Sequence, residues 1–290
     1  MLALAVASAI ASAKVIESQI DVPVSVQDAY RKTVAQTIRV TVFVDDATPA
    51  PHPLIVINHG RGATAAERAD VGRARYSDNS RYFARLGFVV AVPTRVGYGV
   101  SGGEDVEDSG DCQSKRYLPG YLAAAHQTLS VIDALKASRT DLLKDRIVVL
   151  GQSYGGTTAA TLASLNPEGV VAAINFAGGG GGNPKTIPRN PCGTPQLERM
   201  FRGYGETARV PMLWIYTEND MYFGASLPRE WFQAYRAKNA PARMVQFPPH
   251  GEDGHSLFTR FPEVWKPEVE AFLREQGFQW DKKDKVEQRP

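Results

Sequence analysis

The chain of 290 residues has little of several things. Its net charge is small: 33 basic against 31 acidic residues leave +2, with the two signs interspersed. That balance offers neither the basic footprint that grips nucleic acid nor a polybasic face for an anionic membrane. Long apolar runs are missing too. The longest stretch of apolar and small residues, Leu2–Ala13, is short of the roughly 20 residues that cross a bilayer, so stable membrane insertion is not expected. There are two cysteines, Cys112 and Cys192, too few to build a structural zinc site by themselves. No internal repeat is present, which excludes repeat arrays.

The few unusual stretches have simple readings. Leu2–Ala13 ends in Ala11-Ser12-Ala13, which fits the small-residue pattern of a signal-peptidase site. The expectation is export, to a secreted or periplasmic location. No Lys or Arg precedes the apolar run, and the alternative is an apolar N-terminal helix of a cytoplasmic protein. The tail Asp281–Pro290 is dense in charges of both signs and is expected to fray. Between them, residues 14–280 are expected to form one domain. Cys112 ("DSGDCQS") and Cys192 ("RNPCGTP") both lie in turn-rich loops. In an exported protein such a pair reads as one disulfide. Closing a loop of about 80 residues would stabilise by roughly 2–4 kcal/mol. The alternative is two free thiols.

What is present is an alternation of apolar runs with amphipathic stretches. "TIRVTVFV" (Thr37–Val44) alternates as a half-buried antiparallel strand does. "LIVIN" (Leu54–Asn58), "FVVAVP" (Phe88–Pro93), "IVVLG" (Ile147–Gly151), "VVAAINF" (Val170–Phe176) and "MLWIYT" (Met212–Thr217) do not alternate. Such runs suit strands covered on both faces, and "RMVQF" (Arg243–Phe247) is a weaker last strand. Helical patterns cover Asn79–Gly87, Tyr121–Ser138, Tyr154–Leu165, Pro228–Asn239 and Pro262–Gly277, where Pro267 is expected to start or kink the main part. Gly97–Gly120 and Gly178–Arg209, the latter opening on five glycines, read as loops. The sum is an α/β protein: a doubly wound, mostly parallel sheet with helices on both faces and no large lid domain.

The chemistry is concentrated at "GQSYGG". Gly151-x-Ser153-x-Gly155 follows a predicted strand and precedes a predicted helix, which is the setting of a nucleophile elbow. The glycines remove side chains that would collide at the sharp turn. The hydroxyl of Ser153 is then held above the sheet at a helix N-terminus, and the backbone N–H of Tyr154 can face a developing oxyanion. A serine needs an imidazole to take its proton, and the imidazole needs a carboxylate to fix its tautomer. Both follow in the required chain order. "MLWIYTEND" supplies Glu218 and Asp220 beyond a strand, and "FPPHGEDGHSLF" supplies His250 and His255. His59 reads as part of a turn, His126 as a packed or solvated mid-helix residue, and His52 as lying at the wrong edge of the sheet.

With "NHGRG" (Asn58–Gly62), "PTRVGYGVSGG" (Pro93–Gly103), "GQSYGG" and "YTEND…GHSLF" in place, the chain resembles the α/β-hydrolase superfamily. In particular it resembles the small, lidless, dienelactone-hydrolase-like esterases, over roughly Val34–Phe278. The resemblance implies that Asp220 is the acid and His255 the base, with Glu218 and His250 as alternatives. It also implies that the backbone N–H of Arg61 is the second oxyanion donor. Dienelactone hydrolases proper resemble a pattern with a cysteine nucleophile; serine here points to ordinary carboxylic esters. The expected function is that of a serine esterase acting on a small-molecule ester through an acyl-enzyme, with no metal or organic cofactor implied. An amidase or peptidase on the same residues is the first alternative, and a non-catalytic binding protein of the same fold the second. Tyr98, Tyr154, Tyr204, Tyr222, Phe223 and Phe258 are candidates for a pocket lining, and the side chains of Arg61 and Arg95 for holding an anionic substrate group.

Overall fold

The computed structural model describes residues 14–280. The signal-like segment 1–13 and the tail 281–290 lie outside the described residues. The strands are β1 (Val15–Gln27), β2 (Thr33–Asp45), β3 (His52–Asn58), β4 (Val89–Pro93), β5 (Leu142–Gln152), β6 (Val170–Phe176), β7 (Met212–Thr217) and β8 (Ala242–Phe247). They form one eight-stranded sheet in the order β1-β2-β4-β3-β5-β6-β7-β8. β2 is antiparallel to both β1 and β4, and every other pairing is parallel.

Why the central runs do not alternate follows from what covers them. On one face, α3 (Tyr117–Ser138), α4 (Tyr154–Leu165), α5 (Thr194–Thr207) and α6 (Ser226–Arg236) bury Ala124, Leu162, Phe201 and Trp231 against Val149 and Trp214. On the other, α2 (Ser77–Arg85), which follows the short α1 (Ala65–Ala69), α7 (Leu257–Arg260) and α8 (Pro262–Glu275) bury Phe83, Phe258, Trp265 and Leu273 against Ile57, Leu150 and Ile215. Successive residues of β5 thus feed opposite cores, Val149 one and Val148 and Leu150 the other. Each large apolar side chain so buried contributes about 1.5–3 kcal/mol relative to exposure.

Three expectations need correction. β1 was not expected as a strand; it is an edge strand whose Val22, Val24 and Val26 point inward between exposed neighbours. The stretch Gly178–Arg209 is not loop throughout, because α5 occupies its second half. Pro195 stands in the first turn of α5, and Leu197, Phe201 and Tyr204 recur on one buried stripe. Pro267 does not start the main part of the last helix: α8 runs through it from Pro262 to Glu275. Neither long connection builds a lid. Instead they are tied together: Cys112 and Cys192 form a disulfide with a Cα–Cα distance of 5.0 Å.

Candidate active site

Ser153 sits between β5 and α4 with φ 57° and ψ −122°. A residue with a side chain rarely adopts that conformation, and it persists only where its surroundings enforce it. Here the backbone N–H of Ser153 donates to Phe176 O at 2.8 Å. A Cβ on Gly151 would run into the carbonyl of Gly155, and one on Gly155 into the carbonyl of Asn58. The glycines flanking the serine are therefore required by close approach of backbone. Across the turn, a Cβ on Gly60 would lie 3.4 Å from the Cβ of Ser153. The amide of Tyr154, in the first turn of α4, has no acceptor within the helix.

Asp220 lies just beyond β7 and is fully buried. Its Oδ1 accepts from the backbone N–H groups of Tyr222 and Phe223 at 2.8 and 3.0 Å. Its Oδ2 lies 2.9 Å from His255 Nδ1. A carboxylate only accepts, so the proton of neutral His255 is on Nδ1 and its Nε2 is left as an acceptor. The two turns are stapled together. Asp253 Oδ1 accepts from Met221 N at 2.9 Å and from His255 N at 3.0 Å, and Asn219 binds the backbone of His250 and Gly251. Gln152, the residue before Ser153, donates from Nε2 to His255 O at 2.9 Å. Nothing but its place inside the elbow motif signals that contact in the sequence.

Ser153, His255, Gly60 and Arg61 line one cavity of about 520 Å³. Ser153 Oγ makes no hydrogen bond with His255 among the described residues, and the two approach the same space. The other candidates lie elsewhere. Glu218 is exposed and faces Arg229 at 3.5 Å. His250 Nδ1 bonds to Pro248 O at 2.7 Å. His126 is exposed on α3, and His52 opens β3 at the opposite end of the sheet, bonded to Gly87 O.

The arginine expectation fails for Arg95, whereas Arg61 does line the cavities beside Ser153. Arg95 is not at a cavity mouth; it is fully buried and ion-paired to Glu107, which is also fully buried. Arg61 is held by both oxygens of Asp105, at 2.7 and 2.6 Å. Burial works against both cations, but the neighbouring carboxylates prevail and hold each guanidinium above the ordinary arginine range. His59 goes the other way. Burial first, then the charge of Arg95, push it well below its ordinary 6.5. It is neutral, with Nδ1–H donating to Gly60 O at 2.6 Å and Nε2 accepting from Arg95 N at 3.2 Å.

A family model described as alpha/beta hydrolase fold matches residues 53–250. The chain belongs to the α/β-hydrolase fold family. Solved α/β hydrolases agree with it along most of its length. A dienelactone hydrolase described as putative, from Klebsiella pneumoniae subsp. pneumoniae, is 16% identical with a TM-score of 0.56, over 90% of this chain and 100% of that one. An acetyl xylan esterase from Paenibacillus sp. R4 is 16% identical with a TM-score of 0.57, over 92% and 87%. An acylaminoacyl peptidase from Pyrococcus horikoshii is 16% identical with a TM-score of 0.62, over 93% of this chain but 43% of that one. No curated protein matches the sequence.

In this α/β hydrolase a second cavity, of about 700 Å³, also reaches Ser153. Its walls are the two disulfide-linked connections, with Lys115 and Tyr117 on one and the glycine run Gly179–Gly182 on the other. The run is not a flexible linker. A Cβ on Gly179 would strike the ring of Phe223, on Gly180 the hydroxyl of Tyr121, and on Gly181, at φ 71°, the hydroxyl of Tyr117. The backbone threads between rings that leave no room for side chains. Of the expected pocket aromatics, Tyr154, Tyr222 and Phe223 do line this cavity. Tyr98, Tyr204 and Phe258 do not: their rings are buried, Tyr98 donating to Glu107, Tyr204 accepting from Thr161 and Phe258 packing on Phe176 and Trp265. Among the described residues no group of three or more His, Cys, Asp or Glu is placed to hold a metal ion. No described helix is long and apolar enough to cross a membrane.

Proposed function

We propose that the protein is a serine hydrolase acting on carboxylic esters of small molecules. The observation that carries the reading is the 2.9 Å contact of a buried Asp220 with His255 Nδ1, at a cavity that also holds the strained Ser153. Ser153 Oγ attacks the acyl carbon as its proton passes to His255 Nε2. Asp220 keeps the imidazole in the accepting tautomer and stabilises the imidazolium that forms. The N–H groups of Arg61 and Tyr154 bind the oxyanion of the tetrahedral intermediate. That intermediate collapses, the C–O bond to the alcohol breaks, and the alcohol leaves with the proton from His255. Water, deprotonated by the same nitrogen, then attacks the acyl-enzyme and frees the acid and Ser153. Two cavities meeting at Ser153 give room for an acyl and an alcohol arm. The Cys112–Cys192 disulfide supports an exported, oxidising location.

Fluorophosphonate labelling followed by peptide mapping tests the reading. Label on Ser153, turnover of p-nitrophenyl esters, and a loss of at least about 10³-fold in kcat for Ser153→Ala are expected. Activity of Ser153→Ala within tenfold of the parent would remove the proposal. The likeness to an acylaminoacyl peptidase favours an amidase as the second reading, and hydrolysis of matched ester and anilide substrates separates the two.

A further inference from the structure

The peptide joining Gly60 to Arg61 carries the N–H that the proposed reaction uses, and the inference below rests on that reading. The carbonyl end of the same peptide is unusually well held. Gly60 O lies 2.6 Å from His59 Nδ1 and 3.4 Å from Arg95 Nη2. One residue earlier, His59 O accepts from Arg95 Nη1 at 2.8 Å, and the backbone N–H of Arg95 donates to His59 Nε2 at 3.2 Å. Arg95 therefore grips the His59–Gly60 dipeptide at three acceptors. It is itself fixed from below: its Nε is bonded to Glu107, whose Oε2 accepts from Tyr98 OH at 2.6 Å. On the other side of the donor, the Arg61 guanidinium is tied to Asp105 and lies 3.7 Å from Glu107.

A buried ion pair is weak evidence that the arrangement serves stability. It is often matched or bettered by apolar residues of the same volume. We propose that Arg95 is a positioning residue for catalysis: it locks and polarises the Gly60–Arg61 peptide so that its N–H stands ready for the oxyanion. Locking follows because turning the N–H away would swing Gly60 O out of its bonds. Polarisation follows because a cation at an amide oxygen draws density from the nitrogen and strengthens the N–H as a donor, as hydrogen bonds in series do. Neither effect needs contact between Arg95 and substrate.

The experiment compares an oxoester with its matched thionoester, in which C=S replaces C=O. Sulfur accepts hydrogen bonds poorly, so thionoester turnover draws less on the oxyanion donors. Arg95→Lys keeps the charge but loses the fork. It is expected to lower kcat on the oxoester by about 10–100-fold, less than full removal of one donor, with KM within threefold. The thionoester rate should fall less than threefold, so the ratio of the two substrates collapses. Equal loss on both substrates would mean a merely structural role, and no loss would mean no role; either overturns the proposal. If Arg95→Lys does not fold, Arg95→Met/Glu107→Leu, which leaves neither buried charge, takes its place with the same expectation. Absence of Ser153 labelling in the unmodified protein would instead remove the hydrolase reading itself.

Discussion

Tyr222 lies flat against His255, with ring centroids 4.0 Å apart and planes 24° apart. Asp220, two residues earlier in the same turn, holds the imidazole edge at 2.9 Å. One turn thus sets both the plane and the tilt of the base. Asp220→Asn should lower kcat by about 10³–10⁴-fold, because an amide can present the wrong tautomer to His255. Glu218→Gln, a change at an exposed neighbour, should leave kcat within twofold. Tyr222→Ala removes the stacked face together with part of the cavity wall and should lower kcat about two- to tenfold. Steady-state kinetics of the three variants on one ester decides, and a larger loss at Glu218 than at Asp220 would reverse the assignment.

The glycines of the second cavity should be far less replaceable than glycines elsewhere. Gly181→Ala puts a methyl group into Tyr117 at positive φ and should destabilise by about 1–3 kcal/mol. Gly203 in α5 has open space around it. Gly203→Ala should instead stabilise by about 0.5–1 kcal/mol, since alanine is the better helix residue. Urea unfolding of both variants gives the two signs, and two changes of the same sign would contradict the contact analysis.

Reduction of Cys112–Cys192 should loosen the cavity that the bond straddles. The double variant Cys112→Ser/Cys192→Ser is expected to lose about 2–4 kcal/mol of stability. Its KM should rise most for esters long enough to fill the second cavity. Denaturation with and without a reductant, alongside kinetics on short and long acyl esters, checks both parts.

Stability should fall between pH 7 and 5 because of His59. In the folded protein His59 stays neutral well below its ordinary 6.5, whereas the unfolded chain takes up a proton near that value. Unfolding therefore binds a proton on acidification. The contribution is complete above about 6.5 and is lost as the pH drops toward the lowered folded value. Asp105 and Glu17, both held below their ordinary 3.8 and 4.5, act only at more acidic pH. His59→Asn should show a lower midpoint at pH 7 but a shallower decline toward pH 5 in thermal melts. An unchanged decline would assign it to other groups.

The sheet class was readable because burial on two faces writes continuous apolar runs, and the elbow because its geometry demands glycine at fixed spacing. Asp220 and His255 were readable as positions in chain order, and their contact is visible only once β7 and β8 lie side by side. β1 escaped because its inward valines, Val22, Val24 and Val26, are separated by Pro23 and Ser25, and a proline inside a run argues against a strand. α5 escaped because the glycine run before it and the proline at its start both read as loop. Arg95 misled for a physical reason: a guanidinium in a loop after a strand reads as surface charge, and Glu107, a dozen residues away, gives no local sign that it will bury Arg95. The six aromatics divided because ring type alone does not tell a core wall from a cavity wall.

The glycine strip has a consequence for anyone wishing to redesign the protein. A wall made of bare backbone has nothing to trim, so the second cavity cannot be enlarged there by truncation. Nor can it be narrowed there, since any added carbon collides with the rings packed against the strip. Room must be made or removed at side chains instead, such as Tyr222, Phe223, Tyr117 or Lys115. Natural drift in substrate range should fall on such side chains and spare the strip.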